Sequence, residues 1–423
     1  MTSNIIRTAA SCADDREPDV LSVAAAREHI QSLLAVPQGV ERLALREALD
    51  RVLAEDLISP MNVPAHTNSA MDGFALAGVD LPVDEIRNYR VIGTAYAGTP
   101  FKGACASGQC VRIMTGAPMP VGTDTVVMQE QVESLSAEQV RMGAGHRPGQ
   151  NVRQAGEDIA RGRTVLQAGR RLSPADLGVL ASLGLGEVSV RRRLRVAFFS
   201  TGDELRSIGE PLAEGEVFDS NRYSLYGMLK RLNVELLDLG VVGDQPEHLH
   251  NAFRSAAAMA DVVITSGGVS VGEADHTKLV LQQLGEINFW KIAMKPGRPL
   301  TFGRLDQALF FGLPGNPVAV MVTFYQFVLP ALHYLASGEP YQPLTLNAIC
   351  ENEIRKRPGR YEYVRGILRR ADQGGLRVSS AGRQGSGILT SMSINNCFIL
   401  LPEACDGVAA GEPVAVQPFS SLV

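Results

Sequence analysis

Five short segments of the chain carry residue types suited to phosphate and oxyanion chemistry. They are Ser200-Thr-Gly-Asp-Glu204, Val241-Val-Gly-Asp244, Ser266-Gly-Gly-Val-Ser-Val-Gly-Glu-Ala-Asp275, Lys295-Pro-Gly-Arg-Pro299 and Leu313-Pro-Gly-Asn-Pro317. Gly267, Gly268 and Gly272 let backbone N–H groups approach an anion beside a helix start. The spacing is neither G-x-G-x-x-G nor a Walker loop, and a tight strand–helix turn explains this one loop equally well. The carboxylates of Asp203, Glu204, Asp244 and Asp275 do not suit a bare phosphate, but they suit one bridged by Mg²⁺. That ion takes one or two carboxylates and completes its shell with water and phosphate oxygens. The competing reading of each carboxylate is a helix cap or first-turn charge worth about 0.3–1 kcal/mol. Asp203 and Asp275 fit that reading best and Glu204 least. Lys295 and Arg298 lie in a turn stiffened by two prolines, and a rigid basic pair suits a small oxyanion.

The elements that must position these segments are legible between residues 191 and 335. Apolar runs at Leu194–Ser200, Val234–Gly240 and Asp261–Thr265 read as buried strands. Helical spacing follows from Asn221 (Leu225, Met228, Leu229, Leu232) and from Pro246 (Leu249, Phe253, Ala256, Ala257). A short helix is expected at Leu279–Leu284, further strands at Ile287–Trp290 and Leu309–Leu313, and an apolar helix from Pro317. Such alternation predicts a doubly wound, mostly parallel α/β sheet. Ligands of open sheets bind beyond the carboxyl ends of the strands. The loops above then share one edge, with Thr201, Gly202, Ser266, Ser270, Pro314, Gly315 and Asn316 in its lining.

The rest of the chain divides by texture. Residues 1–19 read as a disordered tail. Residues 20–58 read as helical, with Ser22 capping a helix that buries Val23, Ile30, Leu33 and Leu34, and a second segment from Leu43 to near Asp56. Residues 61–147 read as an inserted β domain with runs at Tyr89, Cys110 and Thr125. Residues 148–190, with a helix start at Ser173-Pro-Ala-Asp176, rejoin 20–60 in a discontinuous linker domain. Residues 339–423 read as a C-terminal β-barrel-like domain.

Composition narrows the function classes. Among 423 residues, 45% are hydrophobic and 20% charged, and the net charge of −5 offers no field for nucleic acid or an anionic membrane. No apolar run reaches the roughly 18 residues of a membrane span. The first 20 residues lack a signal-peptide pattern. Six scattered cysteines without C-x-x-C argue against structural zinc and disulfides. A cytoplasmic chain is expected.

Taken together, the five loops and Asp219-Ser-Asn-Arg222 resemble the pterin-binding domain of the molybdopterin molybdenumtransferase (molybdenum insertase) family, which includes the gephyrin E-domain. Pterin adenylyltransferases and a nicotinamide-nucleotide amidase group share only that domain. Asn68-Ser-Ala-Met-Asp-Gly-Phe-Ala75, Arg112-Ile-Met-Thr-Gly-Ala-Pro-Met-Pro120, Val127-Met-Gln-Glu130 and Gly156-Glu-Asp-Ile159 resemble the insertases alone. Gly359–Gly366 and Gln384-Gly-Ser386 resemble their last domain.

The resemblance implies a four-domain homodimeric enzyme that inserts molybdate into adenylylated molybdopterin with Mg²⁺-dependent release of AMP. In the dimer, the β module of one subunit faces the pterin domain of the other. Implied substrate contacts are Asp72, Thr115, Glu157 and Asp158 on one wall, and Asp203, Glu204, Asp244 and Asp275 on the pterin domain. Glu204, Asp158, Thr115, Asp244 and Lys295 are the implied catalytic set, and Glu204, Asp244 and Asp275 the implied magnesium ligands. Molybdate falls to Lys295, Arg298, Pro299, Ser270, Arg360 and Ser386. Molybdate and tungstate, both tetrahedral and nearly equal in size, suit these positions alike. An upstream pterin adenylyltransferase and downstream molybdoenzyme maturation factors are implied partners. Three positions depart from the family pattern: Thr67 stands where an Asp is usual, Arg298 where a Lys is common, and Phe74 where a Tyr is frequent. The rival readings are a pterin carrier without turnover, and an amidase or adenylyltransferase built on the same α/β domain.

Overall fold

The computed structural model describes residues 20–267, 276–372 and 374–422. The chain forms two compact units, one of residues 1–40 and 191–423 and the other of residues 41–190. The tail proposed for residues 1–19, and Gly268, Ser270, Gly272 and Asp275, lie outside the described residues.

In the larger unit, four parallel strands lie in the order Glu235–Val242, Arg195–Thr201, Val262–Ser266 and Ala308–Leu313. Their apolar character on both faces is what a doubly covered parallel sheet demands. Alternate residues serve opposite cores. Val196, Phe198, Val262, Ile264 and Phe311 meet the helices Ser220–Lys230 and Pro317–Thr323. Ala197, Phe199, Val263 and Phe310 meet Pro246–Met259 and His276–Leu284. Strand Pro299–Leu305 runs antiparallel to Ala308–Leu313, and Gly285–Ile292 runs antiparallel to Pro299–Leu305. Gly285–Ile292 therefore points the same way as the parallel set, and the turn after it opens at their carboxyl edge.

Two expectations for the N-terminal stretch are corrected. Ser22 does cap a helix, Val23–Leu33, through the Ala25 N–H at 3.1 Å. That helix buries Val23, Ala26 and Ile30 in the α/β core, while Leu33 is exposed. Val20–Leu21 adds an edge strand to the same sheet. Residues 20–40 thus belong with the α/β unit and not with the linker. The second helix, from Leu43 to Asp56, is absent. Val40–Ala44 is a strand paired with Glu187–Arg191, followed by a single 3₁₀ turn at Leu45–Glu47. Leu45 and Ala48 from the 3₁₀ turn, and Leu53 from a β-bridge to Val190, reach the core they share with Leu166, Leu180 and Val188, so tertiary pairing overrides helical spacing.

The 41–190 unit contains that small core and a six-stranded sheet. The sheet order is Thr125–Met128, Gly73–Leu76, Gln109–Ile113, Arg87–Ala95, Gln139–Met142 and Val132–Ser136. Residues 148–190 return to pair with the segment before the sheet: Thr164–Leu166 pairs with Leu57–Ile58. Ser173 and Asp176 form a reciprocal capping box on the helix Pro174–Ser182.

The C-terminal strands close on themselves. Tyr361–Arg370, Leu376–Ser380, Leu346–Cys350, Pro413–Pro418 and Cys397–Leu401 form a ring, completed by pairing of the first with the last. This barrel shares a core with the α/β layer: Phe398 sits 4.6 Å from Phe419 and 6.1 Å from Tyr325 between ring centroids. Tyr325 belongs to a continuous helical stretch, Pro317–Ser337, that is long and apolar enough to span a membrane. The stretch reads as shorter in sequence because Gln326 and His333 interrupt the apolar run. Since 78% of its most apolar window is buried within the protein, it serves as the core helix.

Candidate functional site

The carboxyl edge of the parallel strands is drawn together by close contacts, one of them, at Gly267, too close for a side chain. Ser200 and Ser266 lie opposite each other on adjacent strands, with buried hydroxyls 2.8 Å apart. Gly267 follows with φ +88°, and a Cβ there would stand 2.4 Å from the Thr201 carbonyl oxygen. A Cβ on Gly315 would meet the Gly267 Cα at 3.9 Å. Asn221 donates its amide to the Gly315 carbonyl at 2.8 Å. Loops 201–204, 266–267 and 314–316 are therefore one surface.

That surface keeps hydrogen-bonding capacity in reserve. Among the described residues, the buried Thr201 Oγ1, Asn221 Oδ1 and Asp219 Oδ2 have no hydrogen-bond partner. Buried polar atoms are rarely left so without a partner to come. Asp219 caps the Ser220–Lys230 helix, and Arg222 Nε stands 3.5 Å from its second oxygen.

Two carboxylates flank this surface. The Glu204 carboxylate lies over Gly202, where a Cβ would come within 2.6 Å of it. Asp203, expected as a helix cap, instead links loops: its Oδ1 accepts the Asp244 N–H at 3.0 Å. The helix expected from Asn221 begins at Ser220, so residues 202–219 connect strand and helix. Among the described residues no three His, Cys, Asp or Glu side chains form a metal-holding group. The hard oxygen donors of Glu204 and Asp244 are the kind magnesium takes in ones and twos beside phosphates.

The basic turn lies where the barrel meets this edge. Met294–Lys295 pairs with Tyr361–Glu362, and the Tyr361 N–H donates to the Ala293 carbonyl at 2.8 Å. Lys295 Nζ sits 3.3 Å from a Glu362 carboxylate oxygen. Glu362 was missed by sequence reasoning, although it lies inside a segment that was singled out. Arg298 and Pro299 complete the turn and begin the next strand. Arg360 directly precedes the barrel strand. Ser386 arrives from a barrel loop, its carbonyl accepting the Val318 N–H at 3.0 Å, while Asn316 Oδ1 lies 3.9 Å from where a Cβ of Gly387 would be. The fold thus gathers Thr201, Gly202, Glu204, Ser266, Gly267, Pro314, Gly315, Asn316 and Ser386 near one edge, with Lys295 and Arg298 on a turn that opens there.

The remaining candidates lie in the 41–190 unit. Asp72 accepts both the N–H and the hydroxyl of Thr115, each at 2.7 Å. The Thr115 N–H, then its hydroxyl, hold the Asp72 carboxyl below the usual range. Asn68–Ser69 pairs with Val152–Arg153, and Thr67 Oγ1 accepts the Ala155 N–H at 3.3 Å. The Asp158 N–H donates to the Val63 carbonyl at 3.1 Å, and Glu157 accepts the Gln154 N–H at 2.9 Å. Segments 67–72, 114–118 and 152–158 are therefore neighbours within this unit.

Three family models match in order. The MoeA N-terminal region (domain I and II) covers residues 21–184, the probable molybdopterin binding domain 197–334, and the MoeA C-terminal region (domain IV) 347–419. A molybdopterin molybdenumtransferase of Haemophilus influenzae is 44% identical, over 96% of this chain and all of that protein.

The chain belongs to the molybdopterin molybdenumtransferase family.

By that membership it is a transferase. A Bacillus subtilis molybdopterin molybdenumtransferase is 32% identical over 89% of both chains. The solved structure of a molybdopterin biosynthesis MoeA protein from Pyrococcus horikoshii matches with a TM-score of 0.80 and 30% identity. That match covers 95% of this chain and 99% of that one. The expected architecture, a doubly wound pterin-binding domain with an inserted β domain and a C-terminal closed barrel, is the one observed.

Proposed function

We propose that this transferase inserts molybdate into adenylylated molybdopterin and releases AMP, giving the molybdenum cofactor. The observation that carries this reading is the glycine-tight edge at residues 201–204, 266–267 and 314–316, flanked by carboxylates and joined by a Lys–Arg turn. Thr201, Asn221 and Gly267 offer hydroxyl, amide and close backbone to a pterin nucleotide. Glu204 and Asp244, with Asp275, would hold Mg²⁺, which would neutralise charge on the pyrophosphate. Lys295, Arg298, Arg360 and Ser386 bind the tetrahedral oxyanion near the dithiolene sulfurs. Water or a molybdate oxygen attacks the phosphorus, the anhydride P–O bond breaks and AMP departs. The two dithiolene thiols give up their protons as the Mo–S bonds form, and the displaced molybdate oxygen leaves as water with those protons, molybdenum keeping its oxidation state. The ligand sulfurs belong to the substrate, so no protein cysteine is required. Asp72, Thr115 and Asp158 serve as further substrate contacts, the enzyme acts as a homodimer, and its site is cytoplasmic.

The test is to mix purified protein with adenylylated molybdopterin, molybdate and Mg²⁺ and to follow AMP. Glu204→Ala should slow AMP release about 100-fold. Release at the wild-type rate would remove Glu204 from the metal set, and pterin binding without any AMP release by the wild type would favour a carrier.

A further inference from the structure

Arg365 lies within the barrel strand Tyr361–Arg370 and is 1% exposed, among the most buried large side chains in the protein. A strand residue of this type ordinarily reaches solvent, and a buried guanidinium ordinarily meets a carboxylate. Arg365 does neither. Its Nη2 donates to the Gly385 carbonyl at 3.1 Å and its Nε to the Ser391 hydroxyl at 3.2 Å. Its backbone is clasped by Gln384, which accepts the Arg365 N–H at 2.9 Å and donates to the Arg365 carbonyl at 3.0 Å. Among the described residues, no Asp or Glu pairs with it.

The residues it holds are the ones that lead to Ser386. Gly385 sits on the guanidinium, and the Ser386 carbonyl is fixed from the other side by the Val318 N–H. The same barrel strand begins beside Arg360 and carries Glu362, the partner of Lys295. One strand therefore braces the turn through Glu362 and the Gln384–Ser386 loop through Arg365.

We propose that Arg365 is a positioning residue for oxyanion capture, and that its buried, carboxylate-free charge makes the Gln384–Ser386 loop electropositive toward a tetrahedral oxyanion. This rests on the oxyanion role given above to Ser386 and Lys295. The guanidinium does not touch the oxyanion. It orients the loop and supplies a positive potential that low-dielectric surroundings screen weakly. Burial without a compensating anion pulls its pKa down to about 10, so it remains charged at neutral pH.

The test compares wild type, Arg365→Met and Arg365→Lys, each full-length and checked for the native circular dichroism spectrum. Molybdate binding is measured by calorimetry with pterin nucleotide present. Arg365→Met should bind molybdate about tenfold more weakly and raise its KM, with kcat at saturating molybdate within about twofold. Arg365→Lys should regain most of the binding, because the charge is retained. Wild-type affinity in Arg365→Met overturns the proposal, and so does an Arg365→Lys defect as large as that of Arg365→Met. Should neither variant fold, hydrogen exchange on the wild type decides: molybdate should slow exchange across residues 384–391, and no change there overturns the proposal. A wild-type protein that takes up no molybdate overturns the functional reading itself, and this proposal with it. Wild-type uptake with unaltered Arg365→Met binding sinks this proposal alone.

Discussion

Glycine decides how closely the site loops can approach. At Gly267 the backbone is left-handed, and the Thr201 carbonyl occupies the space where a side chain would begin. Gly267→Ala therefore meets both strain and a clash with a backbone atom that cannot rotate away. We expect it to cost about 1–3 kcal/mol of stability, read by urea denaturation, and to weaken pterin-nucleotide binding. Wild-type stability together with wild-type binding would show that the loops can separate without loss. Glycine composition announced this position well, because only Gly tolerates both constraints. Lys295 and Glu362 show the limit. Each sits in a recognisable segment, but 67 residues separate them, and only the parallel pairing of Met294–Lys295 with Tyr361–Glu362 brings them together. Arg365 was equally hidden, because a strand arginine reads as a solvent-facing residue until its burial is seen.

At the scale of elements, the parallel sheet was the most legible part. Strands covered on both faces must be apolar throughout, and the helices between them show their buried stripe directly. Leu225, Met228 and Leu229, and likewise Leu249, Phe253 and Ala256, are buried as their spacing required. The stretch 43–56 failed because Leu43, Leu45 and Leu53 reach their core from a strand, a 3₁₀ turn and a bridge, while Leu49 is exposed. The strand starts also need ties that spacing does not reveal. Asp261 is one: both its oxygens meet the Arg192 guanidinium, at 2.6 and 2.7 Å, and it accepts the Arg195 N–H at 2.8 Å. Burial opposes the charge on Asp261, but Arg192 and the Arg195 N–H outweigh it and hold the carboxyl below its usual range. A depressed carboxyl contributes stability that is fully present above the unfolded value near 3.9, and it is lost as pH falls through the lower folded value. Asp261→Asn should cost about 2 kcal/mol at pH 7. The difference between variant and wild type should shrink as pH drops below about 4. A difference that stays constant down to pH 2 would mean the contact is steric, not ionic.

For the whole molecule, the hydrophobic clusters respect the division into two units. Residues 48–190 supply three cores of their own, and residues 23–30 with those from 194 onward supply the other three. The barrel, by contrast, shares a core with the α/β layer through Tyr325, Tyr363 and Phe398 and should not melt apart from it. Cooperative unfolding follows shared cores, so differential scanning calorimetry should resolve two transitions and not three. Unfolding enthalpy runs at about 0.7 kcal/mol per residue, so the larger unit should give the larger peak. Molybdate offers a way to assign the peaks. Lys295, Arg298, Arg360 and Ser386 all lie in the larger unit, so an oxyanion held there stabilises that unit alone. At a hundredfold excess over Kd the gain is about 2.7 kcal/mol, enough to move the larger peak by several degrees while the smaller one stays. A single transition whose calorimetric and van't Hoff enthalpies agree would refute the division. Movement of the smaller peak alone would relocate the oxyanion to the 41–190 unit.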